Sequence, residues 1–141
     1  MLFRSCFADG SDRLVVAEPI SITQTDIRQL QLAKGAIAAG IRILLDHLGA
    51  NLSEVKTLFL AGAFGNYIDR RSARRIGLLA IPDERVHPAG NTALLGAKMA
   101  LFADDAEVER YERIRDAVQH VGLNEDPRFQ DVYVEEMLFP A

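Results

Sequence analysis

The chain has 141 residues, 49% hydrophobic and 26% charged, with 16 Lys+Arg against 20 Asp+Glu and a net charge of -4. That is one folded domain's worth of sequence, and its mildly acidic balance argues against a general nucleic-acid binder, which needs a broad basic face. The single cysteine, Cys6, excludes an internal disulfide, a cysteine-based zinc site and an iron–sulfur cluster held by this chain alone. No apolar run reaches the roughly 18 residues of a membrane span. Met1–Phe7 is too short for a leader and is soon followed by Asp9-Gly10-Ser11-Asp12, so the expected location is the cytoplasm.

In chain order, Leu2–Phe7 and Leu14–Ala17 read as two short strands joined at Asp9-Gly10, a hairpin signal. Asp9 also has the chemistry of a metal or phosphate ligand. Pro19–Ile22 leads into a long helix. Thr23 is its expected N-cap, Asp26 completes a capping box, and Ile22 and Ile27 occupy the positions of a hydrophobic staple. Ile27, Leu30, Ile37, Ile41, Leu44 and Leu48 form the expected apolar stripe, with Gly49 as the stop. Two glycines inside this helix, Gly35 and Gly40, each cost about 1 kcal/mol relative to Ala. Close approach of another backbone would offset that cost. Lys34 stands where the stripe expects an apolar residue, either snorkelling at the core edge or facing a pocket as an anion contact.

Val55–Ala61 is a continuous apolar run that suits a buried strand. It ends in Gly62-Ala63-Phe64-Gly65-Asn66, and a short helix capped near Asp69 follows over 71–76, closed by Gly77. Arg85-Val86-His87 reads as another strand, Pro88–Asn91 as a turn, and Thr92–Phe102 as a helix rich in small residues. Asp104 or Asp105 caps a further helix with Val108, Tyr111, Ile114, Val118 and Val121 on one face and Gly122 at its end. Asp126-Pro127 opens the last helix, with Phe129, Val132, Tyr133 and Met137 as its apolar face.

Two strand–glycine–helix junctions hold the candidate chemistry. A glycine after a strand lets a ligand approach the backbone, and open α/β folds bind ligands at the carboxyl ends of strands. Gly62–Asn66 is neither a Rossmann fingerprint nor a P-loop, so it reads either as a tight turn or as a ligand loop. Gly90-Asn91-Thr92 opens a helix whose N–H groups suit a phosphate or sugar oxygen, or simply a normal cap. Arg70, Arg71, Arg74 and Arg75 form a basic cluster that suits phosphate, an acidic partner or solvent. His47, His87 and His120 fall in no catalytic or metal-binding frame, and no residue reads as a nucleophile or base.

Four segments carry a family resemblance: Ile22–Ile37, Leu60–Asp69 with Ile76-Gly77-Leu78-Leu79, Gly90–Leu101, and Phe129–Pro140. Together, from about residue 20 onward, they resemble the C-terminal region of the reductive activators of corrinoid proteins, ferredoxin-like [2Fe–2S] ATPases. The resemblance implies an α/β fold: half of an acetate and sugar kinase/Hsp70/actin-like (ASKHA, ribonuclease H-like) ATPase, with a mixed sheet and packed helices. Ala61-Gly62-Ala63 matches the adenosine-side motif of that superfamily, usually a double glycine, with alanine at one glycine position. Gly96-Ala97 matches a small-residue helix lining the same pocket.

The implied nucleotide-binding residues are therefore Gly62, Ala63, Phe64, Gly65, Asn66, Asn91 and Gly96, with Lys34 as a candidate anion contact and no catalytic or metal-binding residue. The implied ligands of the full-length protein are ATP and Mg2+, with a [2Fe–2S] cluster in a separate N-terminal domain. The implied reaction is ATP-driven reduction of Co(II) to Co(I) on the corrinoid protein of a methyltransferase system. Residues 1–141 are then expected to be one domain, the C-terminal fragment of a longer multidomain iron–sulfur protein, and inactive on their own. The alternatives are a non-catalytic dimerisation or partner-docking domain of the same fold, and a small nucleotide-binding protein of unrelated chemistry.

Overall fold

A computed structural model describes residues 13–140. The expected strand at Leu2–Phe7, the Asp9-Gly10 turn and Cys6 lie outside the described residues. The first pair of strands is β1 (Arg13–Ala17) and β2 (Ile20–Thr23), antiparallel and joined through Glu18-Pro19. Ile20–Thr23 is thus a strand rather than a lead-in to the helix. The segment Ile20-Ser21-Ile22-Thr23 alternates apolar and polar residues, a strand period, with both isoleucines left exposed.

Helix α1 (Gln24–Leu48) begins and ends as its caps dictate. The Thr23 N–H donates to Asp26 Oδ2 at 2.8 Å and the Asp26 N–H donates to Thr23 Oγ1 at 3.2 Å. These two bonds satisfy two otherwise orphaned donors. Gly49 closes the helix in the left-handed region at φ 63°.

Only part of the expected apolar stripe packs: Ile27 is buried and Ile41 packs against the cluster around Ile81. Ile27, Lys34, Gly35, Ala39, Gly40 and Ile43 are buried, whereas Leu30, Ile37, Leu44 and Leu48 are exposed. The reason is the small-residue face. A Cβ on Gly35 would stand 2.9 Å from Met137 Cγ and 3.3 Å from the Met137 backbone N, and one on Gly40 would stand 3.2 Å from Leu123 Cδ1. Helix α5 (Phe129–Glu136) with its cap residue Met137 covers Gly35, and Leu123 in the 3-10 turn before it covers Gly40; this close packing repays the helix propensity lost at the glycines. Ala39, Ile43 and Val132 form the buried centre of this contact, with Leu123, Phe129 and Tyr133 around it. Phe129 and Tyr133 stack with ring centroids 5.8 Å apart.

A second cluster (Ala73, Leu79, Ile81 and Val86) lies under the parallel pair β3 (Leu58–Ala61) and β4 (Val86–Gly90). Helix α2 (Arg70–Arg75) contributes Ala73 and is capped by Asp69, whose Oδ1 accepts from the Ser72 N–H at 2.8 Å. Strand β4 runs on through Pro88–Gly90, where a turn is expected from the sequence. Proline can occupy it because the ladder in this two-stranded sheet does not require its missing N–H. Strand β3 is half-exposed rather than buried. Phe59, 68% exposed, sits on its open face beside His87. Among the described residues the strands therefore form two separate two-stranded sheets, one of each orientation, not a single mixed sheet.

Helix α3 (Thr92–Leu101) and helix α4 (Asp105–Ala117) have no buried residue. Asp104 caps α4, which stops at Ala117, well before Gly122. Likewise α5 starts at Phe129, because the Asp126 side chain turns the chain at Asp126–Arg128 by accepting from the Arg128 N–H at 2.9 Å. With α3 and α4 unburied and β3 half-exposed, these faces are left open, whereas parallel sheets are ordinarily covered on both sides. Among the described residues no helix is long and apolar enough to cross a membrane.

Candidate functional site

The parallel pairing of β3 and β4 puts the two glycine junctions side by side. Ala61 pairs with Gly90, and immediately beyond it the Gly62 N–H donates to the Gly90 carbonyl at 2.7 Å. Both glycines are left-handed, at φ 87° and φ 65°, a conformation that a Cβ disfavours. A Cβ built on either would meet nothing within 4 Å. Backbone strain, not crowding, requires glycine there, and the space above the two strand ends is open.

The loop then folds back on its own strand. Phe64–Asn66 forms a single 3-10 turn with Gly65 buried, and a Cβ on Gly65 would stand 2.9 Å from the Leu60 carbonyl oxygen. That contact fixes the height of the loop against β3. Phe64 is left 86% exposed, and Ala63 and Asn66 are exposed as well.

On the other side, Asn91 caps α3, its Oδ1 accepting from the Leu94 N–H at 3.0 Å. Its amide N–H groups take no part in the cap. No acidic side chain occupies the first turn of α3. The positive end of the helix dipole therefore stands beside Gly90 without a carboxylate to neutralise it. Gly96 lies in the second turn of α3, where an added Cβ would meet nothing within 4 Å.

The structure thus gathers Gly62–Asn66 and Asn91 at one sheet end, with Gly96 one turn along α3. Lys34 is placed elsewhere. It is 2% exposed, and its Nζ donates to the Leu138 carbonyl at 2.6 Å and lies 5.7 Å from the Phe139 ring centroid. Burial pushes its pKa down, partly offset by the charge of Glu136. The ammonium ties the C-terminal tail to α1. The sequence places Gly90 at the second junction but not among the nucleotide-binding residues, although its carbonyl joins the two junctions. A glycine directly before an Asn cap was the available signal. Among the described residues, no group of three His, Cys, Asp or Glu side chains clusters as metal ligands do.

A protein-family model described as the C-terminal domain of RACo, the ASKHA domain, matches residues 6–141. The chain belongs to this family. Among similar proteins is the corrinoid activation enzyme RamQ of Eubacterium limosum, 39% identical over 121 residues, which cover 85% of this chain and 20% of RamQ. A [Co(II) methylated amine-specific corrinoid protein] reductase of Methanosarcina barkeri is 25% identical over 130 residues, covering 90% of this chain and 24% of the reductase. A solved structure of a reductive activator for corrinoid, iron–sulfur protein superposes with a TM-score of 0.72 at 33% identity, over 86% of this chain and 19% of that one.

The chain therefore spans about a fifth of the length of these relatives. As a RACo C-terminal domain the chain has the ASKHA fold, and among the described residues its strand β3 is half-exposed and α3 has no buried residue.

Proposed function

We propose that the chain is the ATP-binding C-terminal part of a longer iron–sulfur protein that reductively activates a corrinoid protein, taking Co(II) to Co(I) in the cytoplasm. The observation that carries the reading is the joint between the Gly62 N–H and the Gly90 carbonyl, with open space above two left-handed glycines at adjacent parallel strand ends. Strand ends of this kind beside a helix N-terminus suit a nucleotide, because backbone approaches ligand without intervening Cβ atoms. Gly62, Ala63, Phe64, Gly65 and Asn66 form one wall in this reading, and Asn91 and Gly96 the other. Lys34 acts in packing. Mg2+ would accompany the nucleotide.

A [2Fe–2S] cluster held outside this chain would supply the electron that converts Co(II) to Co(I). The corrinoid protein is the partner, and the activities of the relatives named above support that assignment. The test is a Mg-ATP titration of the full-length protein by calorimetry, with Gly62→Val beside the wild type. Loss of ATP affinity by about tenfold or more, equivalent to about 1.4 kcal/mol, is expected, with an unchanged far-ultraviolet spectrum showing that the strain of the new side chain at φ 87° stays within the loop. ATP affinity unchanged in Gly62→Val removes the pocket assignment.

The docking or dimerisation reading is favoured by one observation, the open stripe Leu30, Ile37, Leu44 and Leu48 along α1. It takes precedence if the full-length wild type binds no ATP and forms a dimer that Ile37→Glu disrupts.

A further inference from the structure

The nucleotide reading leaves the arginine cluster unused. Arg70 has a structural task, since its guanidinium donates to the Val86 carbonyl at 3.0 Å and anchors the start of α2 to β4. Arg71, Arg74 and Arg75 do not share it. All three are exposed, and among the described residues none lies within ion-pair distance of a carboxylate. Asp69 attracts Arg71 only at longer range, while its carboxylate is held by the Ser72 N–H. Arg71 and Arg75 lie two residues either side of buried Ala73, which places them one turn apart on the opposite, outward side of the helix. Just before α2, Tyr67 is 88% exposed.

Four arginines in six residues reverse the sign of an otherwise acidic chain. Unpaired guanidinium groups with an exposed tyrosine a few residues before them in the chain have the composition of a protein–protein hot spot, in which arginine and tyrosine are enriched and arginine forks onto carboxylates. A nucleic-acid surface would need a wider basic face than one short helix. We propose that the outward face of α2, with Tyr67 at its edge, docks an acidic surface of a partner protein. Tyr67 follows directly on the Phe64–Asn66 turn. The docking face is therefore continuous in the chain with the proposed nucleotide loop.

The proposal rests on the corrinoid-activator reading, because the probe is the corrinoid protein. The full-length protein is tested by interferometry over the immobilised, purified corrinoid protein across a salt series. The variants are Arg71→Glu/Arg75→Glu, Arg71→Lys/Arg75→Lys and Tyr67→Ser. Charge reversal is expected to weaken binding about tenfold or more and to flatten its salt dependence. The lysine pair retains charge without the planar fork and is expected to fall between wild type and reversal. Mg-ATP affinity is expected to stay at the wild-type value in the α2 variants.

Binding by the wild type that reversal leaves unchanged overturns the docking face while the activator reading stands. No binding and no reduction by the wild type overturns both. A lower melting temperature in the reversal variant, restored in the lysine pair, places the arginines against the protein's own chain and overturns the proposal. Equal affinity for random duplex DNA makes the patch a general polyanion site, with the same result.

Discussion

The same substitution, Gly→Ala inside a helix, is expected to act in opposite directions at two positions. Taken alone, Gly→Ala in a helix interior stabilises by about 1 kcal/mol, because Ala loses less backbone entropy on folding. At Gly96 a Cβ meets nothing within 4 Å, so Gly96→Ala realises that gain in full. At Gly35 the added carbon would stand 2.9 Å from Met137 Cγ, 3.3 Å from the Met137 backbone N and 3.3 Å from Tyr133 Cε2. The thioether arm can move, but the α5 backbone and the stacked Tyr133 ring resist. Overpacking of this kind costs about 1–3 kcal/mol. After the propensity gain, Gly35→Ala should be neutral to about 2 kcal/mol destabilising, and the two variants should differ by about 1–3 kcal/mol. Urea unfolding followed by far-ultraviolet circular dichroism reads this difference as midpoints at a common slope. A midpoint raised equally by both substitutions refutes the close α1–α5 contact as the reason for glycine at 35. Repeating the titration with Mg-ATP probes the site, since a Cβ that intrudes on bound nucleotide reduces the stabilisation ATP adds to Gly96→Ala.

Two further expectations concern charge. Lys34→Met removes a charge-assisted bond to the Leu138 carbonyl worth about 1.5–3 kcal/mol but also relieves the burial of an ammonium, so its net effect should be within about 1 kcal/mol, with ATP affinity unchanged. Because burial lowers the folded-state pKa of Lys34, the unfolded chain holds the proton more firmly. Wild-type stability should therefore gain with rising pH as the unfolded value of 10.5 is approached, and urea midpoints in alkaline buffers should lose that component in Lys34→Met. Asp126 behaves in the opposite range. The Arg128 side chain, the Arg128 backbone N–H and His47 hold its carboxyl well below the usual carboxylate range. Its contribution is whole above the ordinary value near pH 4 and is lost as pH falls through the lower folded value. Asp126→Asn should flatten the acid limb of a thermal-melt series, and an unaltered limb counts against the Asp126–Arg128 clasp.

Local chemistry made much of this protein legible from residues alone. Thr23 and Asp26 fix the start of α1, Gly49 its end, Asp69 the start of α2, and Asn91 and Asp104 the starts of α3 and α4. Each of these is a side chain, or a glycine's missing one, acting within three or four residues, so the sequence carries the whole cause. The glycine junctions were legible for the same reason. The conformations of Gly62 and Gly90 are local, and so is the proximity of each to its own strand.

What no periodicity could supply was which face of α1 packs. Leu30, Ile37 and Leu44 stay exposed, yet Gly35, Ala39, Gly40 and Ile43 form the buried face because α5, with Leu123 before it and Met137 after it, approaches from that side. Side-chain hydrophobicity ranks faces by what each would gain from burial, whereas the partner helix, more than 80 residues further along the chain, decides which face is covered. Lys34 follows the same logic, buried because the C-terminal tail crosses over it. The site itself is of this kind. Gly62 and Gly90 become one feature only when β3 and β4 pair in parallel and the Gly62 N–H finds the Gly90 carbonyl. Residues acting on their near neighbours set the caps, the turns and the two glycine ends. Pairing across long separations set the packed face of α1, the burial of Lys34 and the meeting of the two loops, because those depend on which distant surface arrives.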